Sequence, residues 1–373
     1  MKKRVLSVFK KYQTGVLMML TLVILTSLGC QPVQKTTEQT IPADTLATTY
    51  QTEIQEQLAQ TVLGEAETKP VYEITDSTGP GPIPNPVCYG EVESPAELAE
   101  VLEEAQELLE GQTLYFSTDV ELFPGSTVHY YLDDTILAIT WKQKVEKTAF
   151  TFAEIKLLHP SQFRRHLSGG EFGSGKLLLT SEMSQSVNAV VGCSGDYYSY
   201  RRRGLTIVDG KAEKFVKGLE DTCYINSQGD LILEREQGFA DIEAVQAYAD
   251  EQDIRFSLSF GPILVKDGEN VCPRAYPLGE VTERYSRAAL CQMDKLHYLY
   301  IAAGMEGEAF GLMSMRTFSK HVAATGCRQA YALDGGQNTN IVLNKEVINH
   351  VNYGSERRIS DIIYFATAVP EGE

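Results

Sequence analysis

From about residue 113 onward, the chain is a succession of short runs rich in β-branched and aromatic residues, separated by Gly, Asp and Asn. Runs such as TLYFST, TILAITW, LHYLYIAA and DIIYFATA are typical of β-strands. A parallel pair of strands needs a crossover connection of about a dozen residues or more, and few of the intervals are that long. The sequence therefore predicts an α+β fold with mixed, largely antiparallel sheets and a few helices, rather than a doubly wound sheet.

Three segments carry helix signals. The box Ser94-Pro95-Ala96-Glu97 combines a capping residue, a proline at the first helical position and a glutamate three residues later, which predicts a helix over about 95–110. Apolar periodicity predicts two further helices near 240–252 and 317–324, the second ended by Gly326.

The N-terminus has the pattern of a targeting or anchoring segment. Five basic residues and no acidic ones precede the uncharged run 15–30, GVLMMLTLVILTSLGC. The basic flank is expected to stay in the cytoplasm and the remainder to be exported, so the sequence predicts a location at the extracytoplasmic face of the cell membrane. A signal anchor that is retained and a lipoprotein signal processed at Cys30 are both open alternatives.

Composition shifts divide the rest of the chain. After the signal anchor or lipoprotein signal of residues 1–30, residues 31–92 are rich in Pro, Thr and Gln and predict a stalk. Residues 93–144 are interpreted as a helix and strands that pack on the main domain, which spans 145–373. The interpretation is a single large domain after an N-terminal anchor and stalk.

The formal net charge of −17 opposes binding of a phosphate polymer, so no nucleic-acid partner is predicted. A hydrophobic content of 43% is enough for a buried core. The chain has no CxxC pair and no His-rich spacing, so no structural zinc site is predicted. No cofactor or metal ligand is assigned, and a metal is neither demanded nor excluded. Pairing among the six cysteines after Cys30 is left open.

Three polar turns follow apolar runs and are the places where chemistry could occur. They are the turn 193–198, the segment around Arg287, and the turn 332–340. Asp334 ends a predicted strand and precedes two glycines, which suits a general acid or base beside an anion-binding loop, although Asp-Gly is also an ordinary hairpin turn. Residues 192–196 nearly match a nucleophile elbow, so a hydrolase acting through Ser194 is an alternative.

Six blocks, taken in order, resemble the phosphodiester glycosidase family over about residues 145–368. The blocks are VNAVVGCSGDYY, RRRGLTIVDG, LSFGPILVKDG, YSRAALCQMDKLHYLYIAAG, GCRQAYALDGGQNTNIVLNKEVINHVNYG and ERRISDIIYF. The residues that match the family's patterns are Gly195, Asp196, Tyr197, Gly261, Pro262, Arg287, Asp334, Gly335 and Gly336. The chain departs from them in having Ser194 in place of Asn, Cys291 in place of Gly, and Gln337-Asn338-Thr339 in place of Gly-Ser-Ser/Thr.

The resemblance implies hydrolysis of a sugar-1-phosphodiester in an envelope or extracellular glycan, such as an exopolysaccharide. It implies Asp334 as the first catalytic carboxylate, Asp196 as the second, and Arg287 as the phosphate clamp. The implied substrate-binding residues are Ser194, Gly195, Tyr197, Gly335, Gly336, Gln337, Asn338 and Thr339. A non-catalytic glycan-binding module of the same fold is the main alternative, and the expected partners are a phosphorylated glycan and, through residues 15–30, the membrane.

Overall fold

The structure is a computed structural model and describes residues 72–116, 126–235, 238–277, 281–306 and 311–370. The anchor segment 15–30 and the first part of the predicted stalk lie outside the described residues. By its internal contacts, the described part belongs to one compact unit, Val71–Glu373. No helix within the described ranges is long and apolar enough to cross a membrane.

The elements are mainly strands. The helices are α1 Pro95–Glu104, α2 Gln106–Leu109, α3 Thr180–Ser186, α4 Ile242–Glu251 and α5 Met315–Ala324. The strands are β1 Tyr89–Val92, β2 Val128–Asp133, β3 Ile136–Val145, β4 Thr148–Leu157, β5 Phe163–Leu167, β6 Val191–Ser194, β7 Gly204–Val208, β8 Lys211–Val216, β9 Thr222–Asn226, β10 Leu231–Glu234, β11 Ile254–Leu258, β12 Ile263–Lys266, β13 Glu269–Asn270, β14 Arg287–Asp294, β15 His297–Gly304, β16 Gln329–Leu333, β17 Ile341–Leu343, β18 Glu346–Val347 and β19 Asp361–Phe365.

Two sheets form the centre of the fold. A nine-stranded sheet has the order β1-β2-β3-β4-β15-β14-β16-β12-β13, and a five-stranded sheet has the order β18-β17-β6-β19-β5. Strand pairs in both are antiparallel, as in β3 with β4 and β6 with β19. The predicted α+β class with largely antiparallel sheets is confirmed. Strands β14 and β16 lie side by side, which brings the segment around Arg287 next to the turn at Asp334.

Side chains alternate between the two faces of each strand, and both faces of the nine-stranded sheet are covered. One face shares a core with the five-stranded sheet and includes Tyr131, Ile155 and Leu333. The other face includes Trp141 and shares a core with α1, α2 and α5, to which Phe318 of α5 belongs. The smaller sheets, β9 with β10 and β11, and β7 with β8, stand beside these layers, and α4 packs on them.

The three predicted helices are present, each after a capping residue, although the first is divided at Ala105 into α1 and α2 and the third begins at Met315. Ser94 accepts a hydrogen bond from the Glu97 N–H at 3.3 Å, Asp241 from the Ala244 N–H at 2.9 Å, and Ser314 from the Thr317 N–H at 3.2 Å. The short helix α3 was not predicted. Its seven residues have no hydrogen bond from a capping side chain to the first turn, so it lacks the signal that marks the others.

The segment TLYFST does not form the expected strand over its described residues, 113–116. The amides of Tyr115 and Phe116 donate to the buried carboxylate of Glu154, at 2.5 and 2.7 Å, so a side chain takes the place of a neighbouring strand. The six cysteines of the described chain are free thiols in this structure.

The predicted stalk boundary at residue 92 is also wrong, since residues 74–92 already pack against the main domain. The guanidinium of Arg164 donates to the carbonyl oxygens of Asp76 and Gly79, and the Gly81 N–H donates to the Val187 carbonyl at 3.1 Å. The prolines do prevent a regular helix or a central strand there. They do not prevent an irregular segment from docking through its carbonyl groups, and β1 then joins the large sheet.

The predicted division at residue 144 falls inside the hairpin of β3 and β4, which are paired over their full length. The strands of residues 93–144 therefore extend the main sheet, while the helices α1 and α2 of the same segment pack on one of its faces.

Candidate functional site

Asp334 directly follows β16, a strand of the nine-stranded sheet that pairs with β14. Its side chain is 15% exposed, and its Oδ2 atom accepts hydrogen bonds from Asn338 Nδ2 and from Arg357 Nη2, the latter at 2.9 Å. A carboxylate at the end of a buried strand is thus held between an amide and a guanidinium.

Burial raises the pKa of Asp334 from its ordinary 3.8 to about 6. The Arg357 cation and the Asn338 hydrogen bond oppose this increase, while the Asp196 carboxylate adds to it. Shifts of this direction are common at carboxylates with a catalytic role. At pH 7 the group is mostly ionised and is a stronger base than an exposed aspartate.

The guanidinium of Arg357 lies over two aromatic rings. Its guanidinium carbon is 5.7 Å from the centre of the Tyr197 ring and 5.8 Å from that of Tyr200, and the two rings stack at 4.7 Å. The arginine side chain is 42% exposed. A partly exposed cation, held by an ion pair and by ring faces, can bind an anion without first breaking a buried interaction.

Asp196, the second predicted carboxylate, is fully engaged below the surface. Both of its oxygens accept from Arg201 Nη2 at 2.8 Å, and they also accept from the amides of Tyr197 and Ser259. Its side chain is completely buried. Asp196 lies close enough to Asp334 to affect its pKa, and its own carboxylate binds Arg201.

A second buried ion pair supports the first. Arg165 Nε donates to Asp361 Oδ2 at 2.7 Å, and Asp361 Oδ1 accepts from the Asp196 N–H at 3.0 Å. Burial raises the pKa of Asp361 against the effect of the Arg165 cation. Gly195 allows this contact, because a Cβ atom there would lie 2.7 Å from Asp361 Oδ2.

Ser194 joins β6 to the turn after Asp334. Its hydroxyl donates to the Asn338 carbonyl and accepts from the Asn340 N–H at 3.0 Å, and the residue is 1% exposed. The serine that replaces the family's asparagine therefore makes a backbone clamp in this structure.

The two glycines after Asp334 permit a close approach of two backbones. A Cβ atom at Gly335 would overlap the carbonyl oxygen of Ser286, and that same oxygen accepts from the Gly336 N–H at 2.9 Å. The Gly336 amide, expected to orient a ligand, is thus used to dock the turn against the residue before β14.

Arg287, the predicted phosphate clamp, points toward another loop. Its guanidinium donates to the carbonyl oxygens of Glu283 and Met313, at 2.6 and 3.4 Å, and lies 5.3 Å from the centre of the Tyr285 ring. The structure brings its backbone beside the turn at Asp334. Its guanidinium, in contrast, contacts Glu283, Tyr285 and Met313.

The other predicted binding residues surround Asp334. Gln337 Nε2 donates to the Ser355 carbonyl at 2.8 Å, next to the segment that carries Arg357. Asn338 and Thr339 are almost fully buried, yet Asn338 Oδ1 and Thr339 Oγ1 have no hydrogen-bond partner within the described structure. Ser286 Oγ is a third buried oxygen with no hydrogen-bond partner within the described structure.

A shallow cleft opens beside these oxygens. Ser286, Thr339, Asn349 and His350 line it from one side, and the residues Ala149, Thr151, Ala302, Gly304, Met305 and Glu306 line it from the other. Unpartnered buried oxygens cost free energy, and hydroxyl groups of a ligand would supply the missing partners. Within the described ranges, no group of three His, Cys, Asp or Glu side chains could hold a metal ion.

The sequence of this region matches one family. The profile described as phosphodiester glycosidase covers residues 187–366, a segment that holds β6, β14, β16 and the turn at Asp334. The resemblance to the phosphodiester glycosidase family is confirmed. None of the curated proteins matches the sequence.

One solved structure with a TM-score above 0.5 supports a similar fold. The catalytic domain of zebrafish N-acetylglucosamine-1-phosphodiester alpha-N-acetylglucosaminidase, auto-inhibited by its pro-peptide, has a TM-score of 0.52 and 15% identity, covering 66% of this chain and 86% of its own. A hypothetical protein from Synechocystis has a TM-score of 0.44 and 12% identity, with 62% of each chain covered. A putative exported protein from Burkholderia pseudomallei has a TM-score of 0.38 and 12% identity, covering 59% of this chain and 74% of its own. The chain thus has a phosphodiester glycosidase fold.

The predicted catalytic and binding residues do not include two arginines of this phosphodiester glycosidase-like domain. Arg201 lies in an RRR triplet and Arg357 in the block ERRISDIIYF, where each has basic neighbours and no feature that distinguishes it. The signal in both cases is a contact between distant segments, since Arg357 meets a carboxylate 23 residues earlier in the chain.

Proposed function

We propose that this protein hydrolyses a sugar-1-phosphodiester, breaking the bond between the anomeric carbon and the phosphate oxygen. The observation that carries the proposal is the pairing of Asp334 with Arg357 inside the segment that matches the family. A carboxylate of raised pKa and a partly exposed cation, 2.9 Å apart, suit a substrate with a carbon centre to attack and an anionic leaving group.

Asp334 is assigned the carboxylate role at the anomeric carbon, where it activates water or stabilises positive charge on the sugar ring. Glycoside cleavage through an oxocarbenium-like transition state needs such a group. A phosphate diester leaves as a stable monoester anion, so the reaction does not depend on a second carboxylate acting as a strong acid.

Arg357 is assigned the phosphate in place of Arg287. It is the partly exposed arginine beside Asp334, and its guanidinium can form two parallel hydrogen bonds with phosphate oxygens. Arg201, buried beside Asp196, supplies a second positive charge that acts on Asp334. Asp196 then becomes a positioning residue, because its carboxylate binds Arg201 and the amide of Ser259.

The sugar ring is assigned to the cleft beside Ser286 and Thr339. Hydroxyl groups of a sugar would give partners to Ser286 Oγ and Thr339 Oγ1, two residues of the cleft lining whose hydroxyls have no partner within the described structure. In this orientation the ring lies beside Ser286 and Thr339, and the phosphate on its anomeric carbon points toward Tyr197 and Arg357.

Removal of Arg357 tests the phosphate assignment. With methyl 1-phosphodiesters of N-acetylglucosamine, glucose, galactose and mannose as a panel, Arg357→Ala should lower kcat/KM by about 10-fold to 100-fold for the sugar that wild type hydrolyses. The loss is one charge-assisted interaction of about 1.5–3 kcal/mol. Release of free sugar is the measurement.

The matched control is Arg328→Ala. Arg328 is also an exposed arginine paired with an aspartate, at 3.4 Å from Asp294, but it lies at the start of β16, the end opposite Asp334. An equal loss in both variants would contradict the role given to Arg357.

The two alternatives have their own outcomes in the same assay. A binding module would bind a member of the panel without releasing sugar, and the altered turn 337–339 is the feature that favours it. A Ser194 hydrolase would lose activity in Ser194→Ala and be labelled by a fluorophosphonate. The contacts of the Ser194 hydroxyl with backbone groups oppose the second alternative.

The export of the domain and its role in an envelope or extracellular glycan stay predictions, because the segment that carries them lies outside the described residues. Protease added to intact cells should digest the domain. Protection of the domain until the cells are lysed would contradict export.

A further inference from the structure

The inner face of the nine-stranded sheet changes from apolar to polar along its strands. Where the five-stranded sheet covers it, β2, β3 and β4 present Tyr131, Ala138 and Ala153 to the core. Residues two or four positions away along a strand point to the same face. The polar residues that continue this face are His129, Thr140, Lys142 and Thr151.

These polar residues line a groove that adjoins the cleft beside the candidate site. Thr151 lines both the cleft of Ser286 and Thr339 and the groove of His129, Thr140 and Lys142. The opposite wall of the groove is β18 with Ile348, and the opposite wall of the cleft is Asn349 with His350. One run of chain, 346–350, therefore borders both, and a ligand in the cleft can extend into the groove.

The lining has the chemistry of a site for neutral, hydroxyl-rich ligands. It includes the hydroxyl-bearing residues Ser126, Thr127, Thr140 and Thr151, and a lysine and a histidine that each lie beside a carboxylate. Lys142 Nζ lies 3.0 Å from Glu306 Oε1, and His129 Nδ1 lies 3.3 Å from Glu91 Oε1. Paired charges can donate to and accept from sugar hydroxyls, while Glu346 on the facing strand opposes a second phosphate.

We propose that this groove binds further sugars attached to the non-reducing side of the sugar that is cleaved, so that the preferred substrate is an oligosaccharide-1-phosphodiester. The inference rests on the proposed function. If the phosphate lies toward Arg357 and the ring lies beside Ser286 and Thr339, the groove beyond Thr151 receives what the ring carries away from its anomeric carbon. Lys142 is then a specificity-determining residue that does not touch the reacting atoms.

The test compares substrate length in wild type and in Lys142→Ala. The methyl 1-phosphodiesters of a monosaccharide and of the trisaccharide that ends in it are assayed for each sugar that wild type hydrolyses. Wild type should favour the trisaccharide by at least fivefold in kcat/KM. Lys142→Ala should lose most of this preference through a higher KM for the trisaccharide, with the monosaccharide unchanged within twofold.

Lys211→Ala is the matched control. Lys211 is also a strand lysine paired with a glutamate, at 2.9 Å from Glu213, but it lies on β8 outside the groove. It should keep the full preference for the trisaccharide. Equal kcat/KM for both lengths in wild type, or an equal loss on both substrates in Lys142→Ala, would overturn the proposal.

Failure of the proposed function can be told apart by calorimetry with the free trisaccharides, which contain no phosphodiester. If no phosphodiester is hydrolysed but a free trisaccharide binds to wild type and Lys211→Ala, and binds at least fivefold more weakly to Lys142→Ala, the groove assignment holds by itself. If none of the trisaccharides binds and none is favoured as a substrate, the groove assignment is wrong.

Discussion

Asp334→Asn is expected to lower turnover of the sugar-1-phosphodiester by about 100-fold to 10,000-fold, the range that a positioned acid or base contributes. The substitution keeps the shape of the side chain and its place beside Arg357 and Asn338 while it removes the charge. In wild type, activity should rise with pH through about 6, because the ionised form of Asp334 is the active one and its pKa is raised to about 6.

The same substitution should not lower the stability of the fold near pH 7. A carboxyl group whose pKa is higher in the folded protein than in the unfolded chain stabilises the fold below about pH 4, and this contribution is lost as the pH rises through 6. Chemical denaturation should therefore show Asp334→Asn at least as stable as wild type at pH 7. Asp294→Asn, at an exposed aspartate paired with Arg328, is the control and should keep full activity. Full activity in Asp334→Asn would contradict the catalytic assignment.

Asp361→Ala is expected to cost about 3–5 kcal/mol of unfolding free energy, because it leaves the Arg165 guanidinium buried without its carboxylate. The Arg165 side chain is 2% exposed and that of Asp361 is fully buried. The loss also removes the acceptor of the Asp196 N–H, so we expect the site to be disturbed together with the fold. Urea denaturation monitored by circular dichroism measures the change.

Asp294→Ala removes an aspartate from an ion pair of the same type at the surface, where both partners are more than half exposed. A change within about 0.5 kcal/mol is expected there. A similar small change in Asp361→Ala would show that the buried pair does not support the site.

Patterns within short segments predicted much of this structure. The capping box at Ser94 begins the helix that its spacing indicates, two further helices lie near 240–252 and 317–324 as predicted, and the strand-rich pattern gives the antiparallel sheets. The turn at Asp334 was recognised because a carboxylate and two glycines stand together at a strand end. Each of these features depends on residues within a few positions of one another.

What was missed depends on contacts between distant residues. Arg357 reaches Asp334 from 23 residues away, and Arg165 reaches Asp361 from 196 residues away. Arg287 was expected at the phosphate from its place in a family pattern, while its guanidinium contacts the carbonyls of Glu283 and Met313. Side-chain direction at a strand end is set by the neighbouring loops, which local sequence does not specify.

The central claim is the bond that is cleaved, and hydrolysis in ¹⁸O-labelled water tests it most directly. If the carbon–oxygen bond at the anomeric centre breaks, the oxygen of water joins the sugar, and the phosphate monoester leaves with its original oxygens. Mass spectrometry of the products of the hydrolysed panel member should therefore find the label in the free sugar. Label in the phosphate product would show attack at phosphorus, and it would contradict the assignment of Asp334 to the anomeric carbon.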